Sequence, residues 1–322
     1  MTHIICGVDV SSEKLDARIG LSGPHVQVDR TPPGIARLVA WCREHGATFC
    51  VMEATGGYER LVLAELWQSQ MPAAMACPRR VRQFAQSQGI LEKTDKIDAG
   101  VIARFAEIKN LRPLPPPSLD QQRLAALVTR LRQVTQLRVS QKNQLHSTQD
   151  EKARASIHTL LACIRADMRG LEAQIIELIG SDPLWSRLDA ALRTFKGVAD
   201  RTVATLIAHL PEIGIVSNKA VAKLVGLAPI VNRSGKGQTT SHIAGGRTGV
   251  RNLLYIVASL VAKYDKDFAG FQQRLRLAGK PKNVIRIALA HKLAVRLNAK
   301  AREARRDMQH EHMQLENMRR PA

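Results

Sequence analysis

From Gln121 to Ser181 the chain contains no proline, and within that stretch the apolar residues recur at helical spacing. Leu124, Leu127, Leu131 and Val134 stand three and four apart. Ile157, Leu161, Ile164, Met168, Leu171, Ile175 and Leu178 then alternate strictly by four and three, a heptad seam kept up for about three heptads. A strand has a period of two and cannot gather such a set on one face, whereas long helices can. Residues 119–181 therefore read as a helical, coiled-coil arm, either an antiparallel hairpin or a coil between two chains. An ordinary bundle core is the blander alternative. Arg123, Arg130, Arg132, Arg138 and Lys142 lie along this arm, where they either touch phosphates or are simply solvated.

The proline-rich run RPLPPPS at 112–118 separates the arm from residues 1–111, which have a different rhythm. HIICGVDV at 3–10 is a short apolar run suited to a buried strand, and two partly alternating runs at 15–21 and 25–30 follow across turn-like SSEK and SGP. Next come a helical segment at 34–45, a strand at 48–54, a helix at 58–70, a strand at 72–77, and two helical segments ending near Asn110. Three strands in series and then alternating helices and strands is the element order of a ribonuclease-H-like α/β fold.

Four carboxylates in this half stand at places where they can meet. Asp9 ends the first apolar strand and Glu53 ends the fourth, while Asp95 and Asp98 lie three apart in KTDKIDAGVIARF and share one side of a helix. Each one alone has an ordinary explanation as a turn acid, a solvated loop residue or a helix N-terminal acid favoured by the dipole. As a set they form an all-oxygen donor group whose charges repel unless a cation neutralises them, and such donors suit Mg²⁺ or Mn²⁺. A pair of such ions stabilises both the attacking and the leaving oxygen of a phosphoryl transfer.

Residues 182–300 read as mainly helical and basic. FKGVA at 195–199 before a helix near Asp200 has the look of a helix-hairpin-helix turn, in which backbone amides and a helix N-terminus hold a phosphate. Lys196 and Gly197 belong to that turn, although Ala199 stands where a second glycine is usual. A helix at 219–225 leads into GLAPIVNRSGKGQTTSHIAGGRTGVR, a glycine-rich loop without a single acid. Its cations Arg233, Lys236, Arg247 and Arg251 and its hydroxyls, Ser234 and Ser241 among them, suit phosphates. Apolar and basic helices follow at 253–262 and 283–298, and the charged tail 301–322 reads as a loose helix or as disordered.

Composition narrows the class of partner. The 322 residues carry a formal net charge of +20, which points to a polyanion and first of all to nucleic acid. Aromatic residues are only 4%, so contact through Lys and Arg on phosphates is expected rather than base stacking. Nothing approaches ~20 consecutive apolar residues and MTHIICGVDVSS lacks the look of a signal peptide, so a cytoplasmic protein without a membrane partner is expected. The five cysteines Cys6, Cys42, Cys50, Cys77 and Cys163 form no CxxC pair and read as buried free thiols.

GVDVSS, VMEATGGYE and KTDKIDAGVIA, in this order, resemble the DEDD transposases of the insertion-sequence-110 type. FKGVADRTVATL, GLAPIVNRSGKG and GGRTGVRNLLY resemble the second domain of the same family, so that the likeness runs from about residue 4 to residue 297. The resemblance implies a RuvC-like domain whose acids, here Asp9, Glu53, Asp95 and Asp98, bind Mg²⁺. It also implies a transposase domain whose serine, here Ser234, attacks DNA and forms a covalent link. It further implies a composite site shared within a homo-oligomer, a dimer or tetramer, and a structured noncoding guide RNA pairing with target and donor DNA. From the residues alone Ser234 is one hydroxyl among several and has no evident base beside it, though Arg233 and Lys236 are placed to steady a phosphate. Two further readings stand beside this one: a junction-resolvase-like nuclease in which the acids activate water, and a nucleic-acid-binding protein without activity.

Overall fold

A computed structural model of the chain describes residues 4–54, 56–92, 94–232 and 240–319. The chain divides into two compact units, residues 1–117 and 118–322, and the boundary falls in the proline-rich run.

The first unit is built on one five-stranded sheet. Its elements are β1 (Ile5–Val10), β2 (Lys14–Ile19), β3 (His25–Asp29), α1 (Pro32–Glu44), β4 (Phe49–Glu53), α2 (Glu59–Gln68), β5 (Ala73–Ala76), α3 (Pro78–Ser87) and α4 (Asp95–Lys109). The strand order is β3-β2-β1-β4-β5. The first three strands form an antiparallel meander, while β4 runs parallel to both β1 and β5. Strand alternation divides the core into two layers. Cys6, Val8, Val10, Cys50 and Met52 pack with Ile35 and Leu38 of α1 and Leu63 and Leu66 of α2. Ile5, Phe49 and Val51 point the other way, onto Val81 of α3 and Val101, Ile102 and Phe105 of α4. Both faces of β1 and β4 are thus covered, which is why their sequences read as continuous apolar runs.

The second unit is mainly helical. It comprises α5 (Leu119–Ser147), α6 (Glu151–Ser181), α7 (Pro183–Arg193), α8 (Asp200–His209), α9 (Asn218–Leu224), β6 (Pro229–Asn232), β7 (Thr240–Ile243), α10 (Thr248–Tyr264), α11 (Lys266–Leu277) and α12 (Lys282–Arg319). Side-chain caps set the starts of its helices: the Ser118 hydroxyl accepts from Gln121 N, Asp150 from Ala153 N and Asp182 from Trp185 N. The seam expected on α6 is buried at Leu161, Ile164, Met168, Leu171 and Ile175, and it meets Leu124, Val128, Leu131 and Val134 of α5. That seam is continuous with the core of the whole unit, which takes in α7, α8, α10 and α12. Past Val134 on α5, and before Leu161 on α6, no residue is buried. The base of the hairpin therefore belongs to a bundle core and its distal half stands clear of that core as an arm.

Three expectations need correction. Of the tail's two readings, helix or disorder, the helix stands as far as residue 319, since α12 is one helix of 38 residues crossing position 300, and it is not loose there, Ala301 and Ala304 being buried in the core. The glycine-rich stretch after α9 is not all loop, because β6 and β7 pair antiparallel within it, Pro229 opposite Ile243 and Ile230 opposite His242. Finally, Cys77 and Cys163 are exposed and only Cys6, Cys42 and Cys50 are buried. Cys77 occupies the N-cap of α3, and Cys163 falls beside, not on, the α6 seam.

Candidate active site

The acid end of the first unit begins with a glycine. A Cβ on Gly7 would lie 2.0 Å from the carbonyl oxygen of Ala99 and 2.5 Å from the nitrogen of Ala103, so only glycine lets α4 rest on β1 at backbone contact. Gly100 makes the same close approach from the helix side, toward the carbonyl of Leu21. The small residues Ala99, Ala103 and Ala106 continue that face. One turn before this contact α4 begins, with the Thr94 hydroxyl accepting from Ile97 N. Asp95 and Asp98 are thereby fixed in the first turn, where the helix dipole favours negative charge.

Asp9, two residues after Gly7, faces this helix start. Its carboxyl is raised from the ordinary 3.8 to about 6, first by burial and then by the charges of Asp98, Asp95 and Asp16, against a backbone hydrogen bond from Val10. Glu53 is placed by register, since Val8 pairs with Met52 and the next residues on these parallel strands are Asp9 and Glu53. The β4–α2 connection that follows bends through Gly56 at φ 73° and Gly57 at φ 117°, and the Glu59 carboxylate accepts from Gly57 N at 2.9 Å. The glycines of EATGGYE are thus needed for backbone conformation, and its second glutamate, which is buried, braces the turn.

Asp16 is an acid that sequence reasoning passed over. It stands directly opposite Asp9 in the β1–β2 register and is 6% exposed. His25 Nε2 lies 2.9 Å from its carboxylate, and Gln27 Nε2 donates to it at 3.0 Å. The available signal was the alternation of KLDARI, in which Leu15 and Ala17 turn to the core and Asp16 turns to the face of Asp9.

In donor chemistry these residues fit a hard divalent cation, because the site gathers oxygen donors, and burial together with the neighbouring carboxylates raises Asp9. Their spacing is looser than that of a closed site. Among the described residues, only Cys6, Cys42 and Cys50 bring three candidate ligand atoms within 4.8 Å of one another. Those thiols lie in the other layer of the core, with the Cys42 and Cys50 sulfurs 3.9 Å apart, and offer soft donors remote in kind from the acids.

The predicted basic residues of the second unit fall into different situations. Arg233, Ser234 and Lys236 lie outside the described residues, in the segment joining β6 to β7. Lys196 is exposed in the α7–α8 turn. Gly197 adopts φ 102°, and a Cβ there would come within 3.2 Å of Val261 N. Ala199 is extended at φ −110° and ψ 174°, so the position does not need glycine. Arg247 forks onto Glu212, both bonds 2.5 Å, and donates to the His209 carbonyl at 3.0 Å. Arg251 donates to the Gly245 carbonyl and to the Thr248 hydroxyl. Gly226, Gly245 and Gly246 let these turns touch, since a Cβ on Gly226 would lie 2.2 Å from the Gly245 carbonyl oxygen. Both arginines thus brace the start of α10.

Comparison with known proteins adds to this geometry. Residues 6–152 match a family model described as Transposase, and residues 189–273 match one described as Transposase IS116/IS110/IS902 family. Two similar proteins are the pilin gene-inverting proteins of Moraxella bovis and Moraxella lacunata. Each is 25% identical over 310 residues, which cover 91% of this chain and 94% of the relative.

Proposed function

This chain belongs to the IS110-type transposases, enzymes that recombine DNA, and from that premise we propose that it cuts and rejoins DNA through a serine–DNA ester. In this reading the first unit is a RuvC-like domain of ribonuclease-H topology, for which the strand order β3-β2-β1-β4-β5 speaks. The observation that carries the proposal is the crowding at Asp9: a half-buried carboxyl raised by burial and by the charges of Asp98 and Asp95, on a strand and a helix joined by the Gly7 backbone contact, is costly unless the function needs it. Asp9, Glu53, Asp95 and Asp98 would hold Mg²⁺ or Mn²⁺, and the metal when bound neutralises charge on a phosphodiester.

The oxygen of Ser234 would attack phosphorus and give up its proton; one P–O bond forms as one breaks, and the displaced deoxyribose oxygen takes up a proton and leaves as the hydroxyl. The ester conserves the bond, so rejoining by the reverse attack needs no outside energy source. The helix-hairpin-helix-like turn with Lys196 and Gly197, and the cations Arg233 and Lys236, would grip phosphates. Arg247 and Arg251 would act indirectly, by fixing the start of α10 behind the β6–β7 hairpin. Donor and target DNA would be selected by pairing to a structured guide RNA. The distal half of the α5–α6 hairpin, which has no fully buried residue within its own chain, would form a coiled coil with a second copy in a dimer or tetramer.

The test is a trapped adduct. Wild-type protein with Mg²⁺ and nicked substrate is expected to give a protein–DNA ester that denaturant does not remove. Ser234→Ala is expected to lose it while still binding DNA, and a full-strength adduct in that variant would overturn the proposal. Cleavage without any adduct in wild type would favour the resolvase-like reading. DNA binding with neither product, indifferent to EDTA, would favour a binding protein.

A further inference from the structure

A cavity of about 620 Å³ opens between the C-terminal half of α10, the end of α11 and the start of α12. Lys263, Arg276, Lys280, Lys282 and Arg286 line it, together with the neutral hydrogen-bonding side chains of Ser259 and Gln272, and no acid does. Among the described residues none of the five cations has a carboxylate within ion-pair distance, whereas Arg296 on the other side of α11 pairs with both Asp265 and Asp267. Arg286 instead lies over the Tyr255 ring and donates to its hydroxyl. Lys263, Arg276, Lys280 and Lys282 are exposed. Five like charges around one concavity make a local positive potential that an anionic occupant lowers.

We propose that this groove is a second DNA-contacting site, which holds the phosphate backbone of duplex DNA away from the β6–β7 hairpin; the inference rests on the recombinase reading above. The shape fits a backbone rather than a compact anion. The cavity is open, it is bounded at the turn by Gly279, where nothing stands within 4 Å of an added Cβ, and its polar groups come from three helices. The first turn of α12 adds backbone N–H groups and the positive end of a 38-residue helix. Ser259 and Lys263 lie 11 and 15 residues along α10 from its start at Thr248, which is about 16 to 22 Å of helix. At 3.4 Å per base pair that distance corresponds to about 5 or 6 base pairs of duplex. The chain would then grip DNA at two separate points, one near the hairpin that precedes α10 and one beside its far end.

The test measures binding of full-length protein to fluorescent duplex DNA and to duplex RNA of equal length between 50 and 200 mM salt. The groove variant carries Lys263→Gln, Arg276→Gln and Lys282→Gln. A charge-matched control carries Lys109→Gln at the exposed end of α4 and Arg165→Gln and Arg169→Gln on the exposed side of α6. Each lost phosphate contact lowers the slope of log affinity against log salt by about 0.9, so the groove variant should lose about 40-fold less DNA affinity than wild type across that range. The control should follow wild type closely. An unchanged slope in the groove variant, or an equal fall in the control, overturns the proposal, and so does a slope that falls for RNA alone. Should the triple variant melt at a lower temperature, its three single variants, each expected to lower the slope by about one, decide the same question. Adduct formation is followed in the same wild-type preparation, so failure of the groove and failure of the serine chemistry are read separately.

Discussion

Two charged clusters in this protein are built on opposite rules. Around Arg247 in the second unit, opposite charges meet: a half-buried guanidinium forks onto a half-buried carboxylate and also satisfies a helix-end carbonyl. At the acid end of the first unit, like charges are pressed together, with Asp9 facing Asp98, Asp95 and Asp16. The first arrangement is complete in itself and serves the fold. In the second, burial and neighbouring carboxylates raise Asp9, and rigid backbone contact, Gly7 against α4, fixes the strand and helix that carry the acids. The comparison teaches where to look for chemistry: at like charges that the fold crowds together.

The strongest way to break the contrast is Asp9→Asn. Strand exchange should fall by roughly 10³-fold or more, a loss of several kcal/mol of charge stabilisation at phosphorus. The same change should stabilise the metal-free protein by about 1 kcal/mol, because it removes a half-buried charge from among its like. Thermal melting in EDTA set beside a recombination assay checks both. Lower stability together with lost activity would make Asp9 a structural residue like Glu212.

Gly7→Ala probes the device that does the pressing. A Cβ 2.0 Å from the Ala99 oxygen requires α4 to move, at a cost of about 1–3 kcal/mol, and that motion carries Asp95 and Asp98 away from Asp9. Stability and activity should fall together, by contrast with Asp9→Asn. An unchanged denaturation midpoint would show that α4 is free to shift and that the contact holds nothing.

These two residues also mark what the sequence could convey. Gly7 and Asp9 are legible as strand residues, and KTDKIDA announces both its cap and its i, i+3 acids, because all of these are local patterns. The α6 seam is legible for the same reason, periodicity being written along the chain. Asp16 was legible only as a residue alternating with Leu15 and Ala17, since its nearness to Asp9 is a cross-strand relation that depends on register. The β6–β7 hairpin was hidden by glycines that read as loop, although Gly226, Gly245 and Gly246 serve close packing around it. The length of α12 was hidden as well, because its tail is polar, and Ala301 and Ala304 look ordinary until a core is placed against them. Arg247 read as a phosphate ligand, and its partner Glu212, 35 residues away, was not visible beside it.

Arg247→Met tests the paired cluster and should have a smaller effect. Both partners are about one-third exposed, so solvent screening reduces the pair to about 1 kcal/mol. Burial works to raise the Glu212 carboxyl, but the Arg247 hydrogen bond and charge hold it below its ordinary 4.5. A depressed folded-state value means that this stability is fully present above 4.5 and is lost as pH falls further, through the folded-state value. Wild type should therefore lose its margin over Arg247→Met on acidification below 4.5, as a pH series of melting curves would reveal. A margin constant across that range would mean that packing, not charge, carries the interaction.

The smallest effect is expected at Ala199→Gly, where family resemblance suggests that glycine belongs. At φ −110° and ψ 174° the backbone of Ala199 is ordinary extended chain, whereas Gly197, at φ 102° and against Val261, is the position that needs glycine. Glycine at 199 would add unfolded-state entropy without relieving any strain, and should lower stability by about 0.5–1 kcal/mol. DNA affinity should stay the same, because the turn already presents its amides. A gain in affinity on this substitution would mean that the Cβ of Ala199 stands in the way of a phosphate, and that the turn has lost part of its grip.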